Sequence, residues 1–317
     1  MSRLRNLPWK WIALGAALAL PLLAAATGRV YLTRVGGIVG LYMILGLGLN
    51  FTLGYVGLFD LGYVAFYAVG AYAVAVSAKF GWPLPAAVLL AVVAATLVRL
   101  ALGVTILRLR GDYLAVVSMG FGEIARLTIN NLDALTNGPK GLQVAPLRLF
   151  GAPLENVHYY YAILALVLLS VIASRRLEDS RLGRAWVAIR EDEIAANLAG
   201  VPVAKLKLLA FTISGAFAGL AGAVFAYWEG FVTPESFVFW ESILVVSIVV
   251  LGGMGSISGV LLGSFILSGS PAFMQAFLSA DWINYRYLFF GLILVLTVLF
   301  RPQGLLPSAR REAELDR

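Results

Sequence analysis

From Trp11 to Phe300 the chain is a succession of apolar runs separated by short polar or glycine- and proline-bearing joints. The runs are roughly 17 to 25 residues long, the length at which a helix crosses about 30 Å of hydrocarbon with its backbone groups satisfied internally. Residues of which 61% are hydrophobic and 13% charged leave too little polar surface to clothe a soluble globule. The expected fold class is therefore all-α, a polytopic transmembrane helical bundle with residues 1–317 forming one domain. Ten segments are read, near residues 11–27, 36–54, 60–78, 84–107, 112–130, 158–174, 206–228, 238–251, 257–279 and 284–300. The basic start Arg3, Arg5 and Lys10 is followed by no A-x-A-like site with a polar continuation, so an uncleaved first helix is expected.

Positive residues beside a span resist translocation, which gives the bundle an orientation. With an even number of spans and the N-terminus in the cytoplasm, only Arg29, Arg34, Lys79, Lys140, Arg148 and Arg286 of the 24 basic residues fall outside, while Arg99 and Arg126 lie within spans. Both termini, including the tail 301–317, are then cytoplasmic. The net charge of +7 reports this topology and contact with anionic lipid headgroups, and gives no reason to invoke nucleic acid.

The longest charged joint, 175–207, is too polar to enter the bilayer and is expected on the cytoplasmic side. Within it Ile194, Leu198 and Val201 recur at helical spacing, and Ala195, Ala196, Ala199 and Gly200 are small enough for close backbone approach. Pro202 limits the helix. A short helix with an apolar face, flanked by Arg190, Glu191, Asp192 and Glu193, suits docking into a groove on a soluble partner, although an ordinary interfacial loop has the same composition.

The stretch "AIREDEIAANLAGV" resembles the cytoplasmic coupling loop of ATP-binding-cassette importers, in the form used by the high-affinity branched-chain amino acid permease family of the LivM type. Four further stretches resemble that family in chain order: "GLNFTLGYVGLFDLGYVAFYAVGAY" from Gly48, "GFGEIARLTINN" with "TNGPKGL" from Gly120, "VVLGGMGSISGVLLG" from Val249 and "LFRPQGLLP" from Leu299. In the broader importer pattern a glutamate directly precedes two alanines, whereas here Glu193 is followed by Ile194. The resemblance implies an importer permease fold working with a second homologous permease. It further implies two ATP-binding subunits that hold ATP and magnesium, and a periplasmic binding protein delivering leucine, isoleucine or valine. The chain itself is then no enzyme and binds no cofactor, and it sits in a bacterial inner membrane. Urea or short amides are the alternative cargo within the family, and a secondary transporter is the rival outside it.

The residues add candidate positions. Asn50, Gly54, Gly57 and Asp60 interrupt apolar segments, and lipid penalises such polar groups unless they face the protein interior or a path. Asp60 reads either as a helix N-cap or as a gate residue. Glu123 and Arg126, three residues apart on one helical face, form a structural ion pair or line the path. Gly252, Gly253, Gly255 and Ser256 read as a broken helix bordering a path or as close packing, and the stripes Gly255–Gly259–Gly263 and Gly215–Gly219 allow tight helix crossing. Glycine-interrupted segments occur in both halves, as an inverted repeat would require.

Other signals carry no chemistry. His158, the sole histidine, stands beside Tyr159, Tyr160 and Tyr161 as an interfacial aromatic belt would, and one imidazole makes no metal site. Asn50-Phe51-Thr52 matches a glycosylation triplet inside a span. The sequence has no cysteine, phosphate-cradling loop, zinc-protease helix or serine elbow, so no catalytic residue is assigned.

Overall fold

The computed structural model describes residues 9–26, 28–29, 31–106, 112–149, 152–277 and 286–307. The basic residues Arg3, Arg5, Arg108 and Arg110 and the tail beyond Pro307 lie outside the described residues. The helices are α1 (Trp9–Ala26), α2 (Tyr31–Asn50), α3 (Val64–Lys79), α4 (Leu84–Ile106), α5 (Asp112–Asn131) and α6 (Asp133–Thr136). They continue as α7 (Asn156–Glu178), α8 (Arg181–Glu191), α9 (Glu193–Leu198), α10 (Val203–Glu229), α11 (Phe239–Gly252), α12 (Ile257–Phe277) and α13 (Arg286–Phe300). A π-helical turn, Phe51–Val56, prolongs α2, and a 3-10 turn, Pro234–Phe237, leads into α11. Two small antiparallel pairs lie in the joints: β1 (Leu142–Gln143) with β4 (Phe231–Val232), and β2 (Arg148–Leu149) with β3 (Ala152–Pro153).

Among the described residues five stretches are long and apolar enough to cross a membrane: 31–56, 84–106, 156–178, 203–229 and 234–252. Shorter apolar helices cover 15–26, 64–79 and 257–271. The bundle is thus mostly helical, but fewer stretches have span length than the ten segments read from the sequence. α5 is absent from these stretches; Glu123 and Arg126, with the polar end Thr128 to Asn131, lower the hydropathy of its apolar run.

α10 runs along α3 and α4 in the middle of the bundle. Ala87, Ala91 and Ala95 recur every fourth residue on α4 and are wholly buried. Opposite them lie Gly215 and Gly219 of α10, where a Cβ on Gly219 would stand 2.7 Å from the Ala91 carbonyl oxygen. The small residues let the two backbones nearly touch, the packing expected where lipid supplies no hydrophobic drive. α11 and α12 cross in the same way: a Cβ on Gly263 would meet the Ile248 carbonyl at 2.4 Å. At one end Arg34 of α2 pairs with Glu229 of α10 at 2.7 Å; α8 and α9 lie at the other.

Between the π-turn and α3 the chain is irregular, and a buried ion pair holds it. Arg99 of α4 donates from Nη2 to Asp60 Oδ2 at 2.7 Å, with both side chains fully removed from solvent. Its Nε donates to the Phe211 carbonyl of α10, also at 2.7 Å. Nη1 has no hydrogen-bond partner among the described residues, but the guanidinium carbon lies 5.0, 4.5 and 3.9 Å from the ring centres of Tyr63, Phe66 and Phe211. Those rings offer the cation negative faces where bulk solvent does not reach. Asp60 Oδ1 accepts from the Gly62 amide at 3.0 Å. Tyr63, rather than Asp60, occupies the N-cap position of α3, so Asp60 serves as the counter-ion of Arg99.

Removing one partner strands a buried charge. We expect Asp60→Ala or Arg99→Ala to cost about 3–5 kcal/mol each, and Asp60→Leu with Arg99→Met to recover most of that loss. Unfolding titrations in mild detergent measure all three; independent, additive losses in the double variant contradict the pairing.

Candidate functional site

Two interrupted helices meet at the end of the bundle that carries α8. The first interruption is the π-turn after α2. Its widened backbone closes with the left-handed Gly57 at φ 79°, and the Leu58 amide reaches back to the Thr52 carbonyl at 2.9 Å. A π-turn leaves carbonyls out of the regular ladder and so open to other donors. The second interruption lies between α11 and α12, where Gly253 (φ 121°) and Gly255 (φ 81°) turn the chain and Ser256 Oγ accepts the Gly259 amide at 3.1 Å to start α12.

Asn50 joins the two. Its Oδ1 accepts the Gly255 amide at 2.9 Å, and the side chain is almost wholly buried. Gly54 borders this bond: a Cβ there would sit 1.9 Å from Asn50 Oδ1 and 2.5 Å from the Gly255 nitrogen. From the other side the turn after α13 closes the seam. The Leu305 and Leu306 amides donate to the Leu251 and Gly252 carbonyls at 2.8 and 2.9 Å, completing the end of α11. The structure thus brings together Asn50, Gly54, Gly57, Gly252, Gly253, Gly255 and Ser256.

α8 and α9 pack against this seam. Ser180 caps α8 by accepting from the Leu182 and Gly183 amides, and Asp192 caps α9 by accepting from the Ile194 and Ala195 amides at 2.8 and 2.9 Å. Trp186 and Ile189 are buried among Phe51, Tyr55 and Phe211, and Trp186 Nε1 donates to the Leu206 carbonyl at 2.9 Å. Arg190 reaches inward and donates from Nη1 to the Gly54 carbonyl at 2.6 Å. The other face looks out: Ile194 is 68% and Leu198 83% exposed, and Glu191, Asp192, Ala195 and Gly200 are exposed with them. Ala196 is buried, and Glu193 is tied back to Lys207 of α10 at 2.6 Å. α9 ends at Leu198, so Val201 lies beyond it, partly buried and apart from the exposed face.

Asp60 and Glu123 stand away from the seam. Glu123, 45% exposed, pairs with Arg126, which also reaches Glu235 of the 3-10 turn at 3.2 Å. Three hydroxyl side chains at this level carry no signal in the sequence. Ser118 of α5 accepts the Leu61 amide, Ser242 of α11 accepts the Val64 amide, and Tyr42 of α2 donates to Glu241 of α11. Arg99 had a readable signal, since a lone charge inside an apolar run demands a counter-ion. No cluster of histidine, cysteine, aspartate or glutamate able to hold a metal occurs among the described residues.

Residues 31–298 match the family model described as branched-chain amino acid transport system / permease component. The chain is 44% identical over 305 residues, covering 87% of itself and 70% of the relative, to the high-affinity branched-chain amino acid transport system permease protein LivM of Escherichia coli. The LivM protein of Salmonella typhimurium is similar to the same extent. The LivH permease protein of Salmonella typhimurium is 31% identical over 153 residues, or 48% of this chain and 47% of that one. No solved structure matches.

The seam has no room for a methyl group. We expect Gly54→Ala to destabilise the protein by about 1–3 kcal/mol through displacement of the Asn50–Gly255 bond. Gly120→Ala on α5, where a Cβ meets nothing within 4 Å, is expected to be neutral or slightly stabilising. Thermal unfolding of the two purified variants checks the contrast, and equal midpoints contradict it.

Proposed function

The chain belongs to the family of branched-chain amino acid transport system permease components, and from there we propose that it is one transmembrane subunit of an ATP-driven importer for leucine, isoleucine and valine. It lies in a bacterial inner membrane with both termini in the cytoplasm. It works beside a second, related permease, two ATP-binding subunits holding magnesium and ATP, and a periplasmic binding protein.

The observation that carries this reading is the division of labour in α8 and α9. One face is anchored in the bundle through Trp186 and Arg190; the other presents Ile194 and Leu198 to whatever lies beyond. Large apolar side chains so exposed beside Arg175, Arg176, Arg181 and Arg184 suit a soluble partner at the cytoplasmic face better than lipid. ATP-driven closure of the partner subunits pushes on this face, and the permease answers by opening one end of its path and closing the other. The chain moves no bonds itself. It supplies a shaped path, and selection among cargoes rests largely with the binding protein.

The carboxylates argue against proton coupling as the energy source. Asp60 is held by Arg99, Glu123 by Arg126, Glu229 by Arg34, and Glu241 accepts from Tyr42. Asp60 and Glu123, the carboxylates within predicted spans that a secondary transporter would use for a coupling site, are thus both engaged in ion pairs. The outward face of α5 fits a wall of the path. It mixes the exposed Tyr113, Val116 and Ile124 with Glu123, Thr128 and Asn131, a pattern that lipid disfavours and that a second permease and water accommodate.

Proteoliposomes holding this chain with its permease and ATPase partners are expected to take up labelled leucine only with internal ATP and external binding protein. Uptake that runs on a proton gradient without ATP rejects the reading. Glu123→Gln is expected to lower uptake severalfold while changing stability by about 1 kcal/mol or less, because a half-exposed pair contributes little to folding. Normal uptake by this variant removes Glu123 from the path.

A further inference from the structure

Arg190 sits in the charged run of α8 and α9, where docking onto a partner is the natural role of a cation. The structure sends it the other way. α8 is held against the bundle by Trp186, which is wholly buried and bonded to the Leu206 carbonyl, so the helix is a firm base for the side chains of its last turn. From that base the Arg190 stem crosses Gly57, where a Cβ would meet its Cγ at 3.1 Å, and the guanidinium ends on the Gly54 carbonyl at 2.6 Å. A Cβ on Gly255 would lie 3.6 Å from the same Nη1. The guanidinium therefore sits at the junction of the π-turn after α2 and the turn between α11 and α12, next to the Asn50–Gly255 bond that ties them together.

We propose that Arg190 is a positioning residue that carries displacement of α8 and α9 into this seam, so that the seam is the inner gate of the path. The proposal rests on the importer reading and names the connection within it. Three physical points support it. A charge-assisted bond to a carbonyl is shorter and stronger than a neutral one, and it holds under load. The acceptor lies in a π-turn, where the helix ladder is already interrupted and a shift of register is easiest. The acceptor is main chain and its neighbours are glycines, so on the seam side no bulky side chain can swing aside to absorb a shift carried by Arg190; the Asn50–Gly255 bond then takes α2 and the α11–α12 turn along together. The exposed Ile194 and Leu198 meet the partner in this scheme, and Arg190 transmits.

The test uses the whole complex in proteoliposomes and reads ATP hydrolysis and leucine uptake in the same vesicles. Arg190→Gln keeps most of the side chain's length and loses its charge, and Arg190→Lys keeps the charge with a single donor group. The expected result for Arg190→Gln is near-normal assembly and hydrolysis, with uptake per ATP lowered about fivefold or more, and partial recovery in Arg190→Lys. An unchanged uptake-to-ATP ratio in Arg190→Gln overturns the role of Arg190, as does a loss of hydrolysis in proportion to uptake, which is the signature of a partner contact. If Arg190→Gln does not assemble, Arg190→Lys is read alone: a lowered ratio supports the role and an unchanged one overturns it. Wild-type vesicles that show no ATP-dependent uptake overturn the importer reading itself, an outcome distinct from all of these.

Discussion

A guanidinium and a carboxylate with no access to solvent, Arg99 and Asp60, hold the segment that the rest of the bundle needs in place. Burying two charges is costly, and their attraction offsets that cost only when the remaining donors and acceptors are also engaged. Most of them are: the Phe211 carbonyl takes Nε and the Gly62 amide meets Asp60, while the guanidinium, whose Nη1 has no hydrogen-bond partner among the described residues, is enclosed by three aromatic rings. The pair thereby fixes the chain between the π-turn and α3 against both α4 and α10. Its geometry explains why α3 starts at Val64, with Ser118 and Ser242 receiving the amides around that start.

Around this fixed point the bundle has two kinds of contact. α4 against α10 is alanine against glycine along regular helices, and the small residues let the backbones approach until they nearly touch. The seam at the opposite end of α2 from Arg34 is equally close but is made where helices are broken, at Gly54, Gly253 and Gly255. Close packing along intact helices resists change, whereas close packing across interrupted ladders permits a second arrangement. On the importer reading proposed above, the bundle uses both: the intact helices hold its shape and the interrupted ones lie within reach of Arg190.

The charged joint has two faces. Asp192, in extended backbone, ends α8 and caps α9, so the two helices are separate; Trp186 is buried and Arg190 bonds the Gly54 carbonyl, while Ile194 and Leu198 are exposed. Glu193 is drawn back to Lys207, so the acidic residue nearest the alanines steadies α9 instead of standing free for a partner.

Much of this could be read from the chain alone. Span-length apolar runs dictate helices in a membrane because lipid leaves the backbone no other partner, and the polar run 175–207 could only lie outside. Asn50, Gly54, Gly57 and Gly252–Ser256 stood out because lipid penalises amides and helices avoid repeated glycine. The partners of those residues were not readable. Asp60 pairs with Arg99 across 39 positions, and Asn50 with Gly255 across 205, and no local periodicity records which distant groups will share a buried site. Nor does spacing say which way a helix end will face, so Arg190 reads as one more charge of a docking loop until the π-turn places a bare carbonyl in front of it. The sequence sets the elements and marks where they are interrupted, because those follow from solvent and local sterics. Which interruptions meet, and which charge is turned inward, follows from packing over the whole bundle.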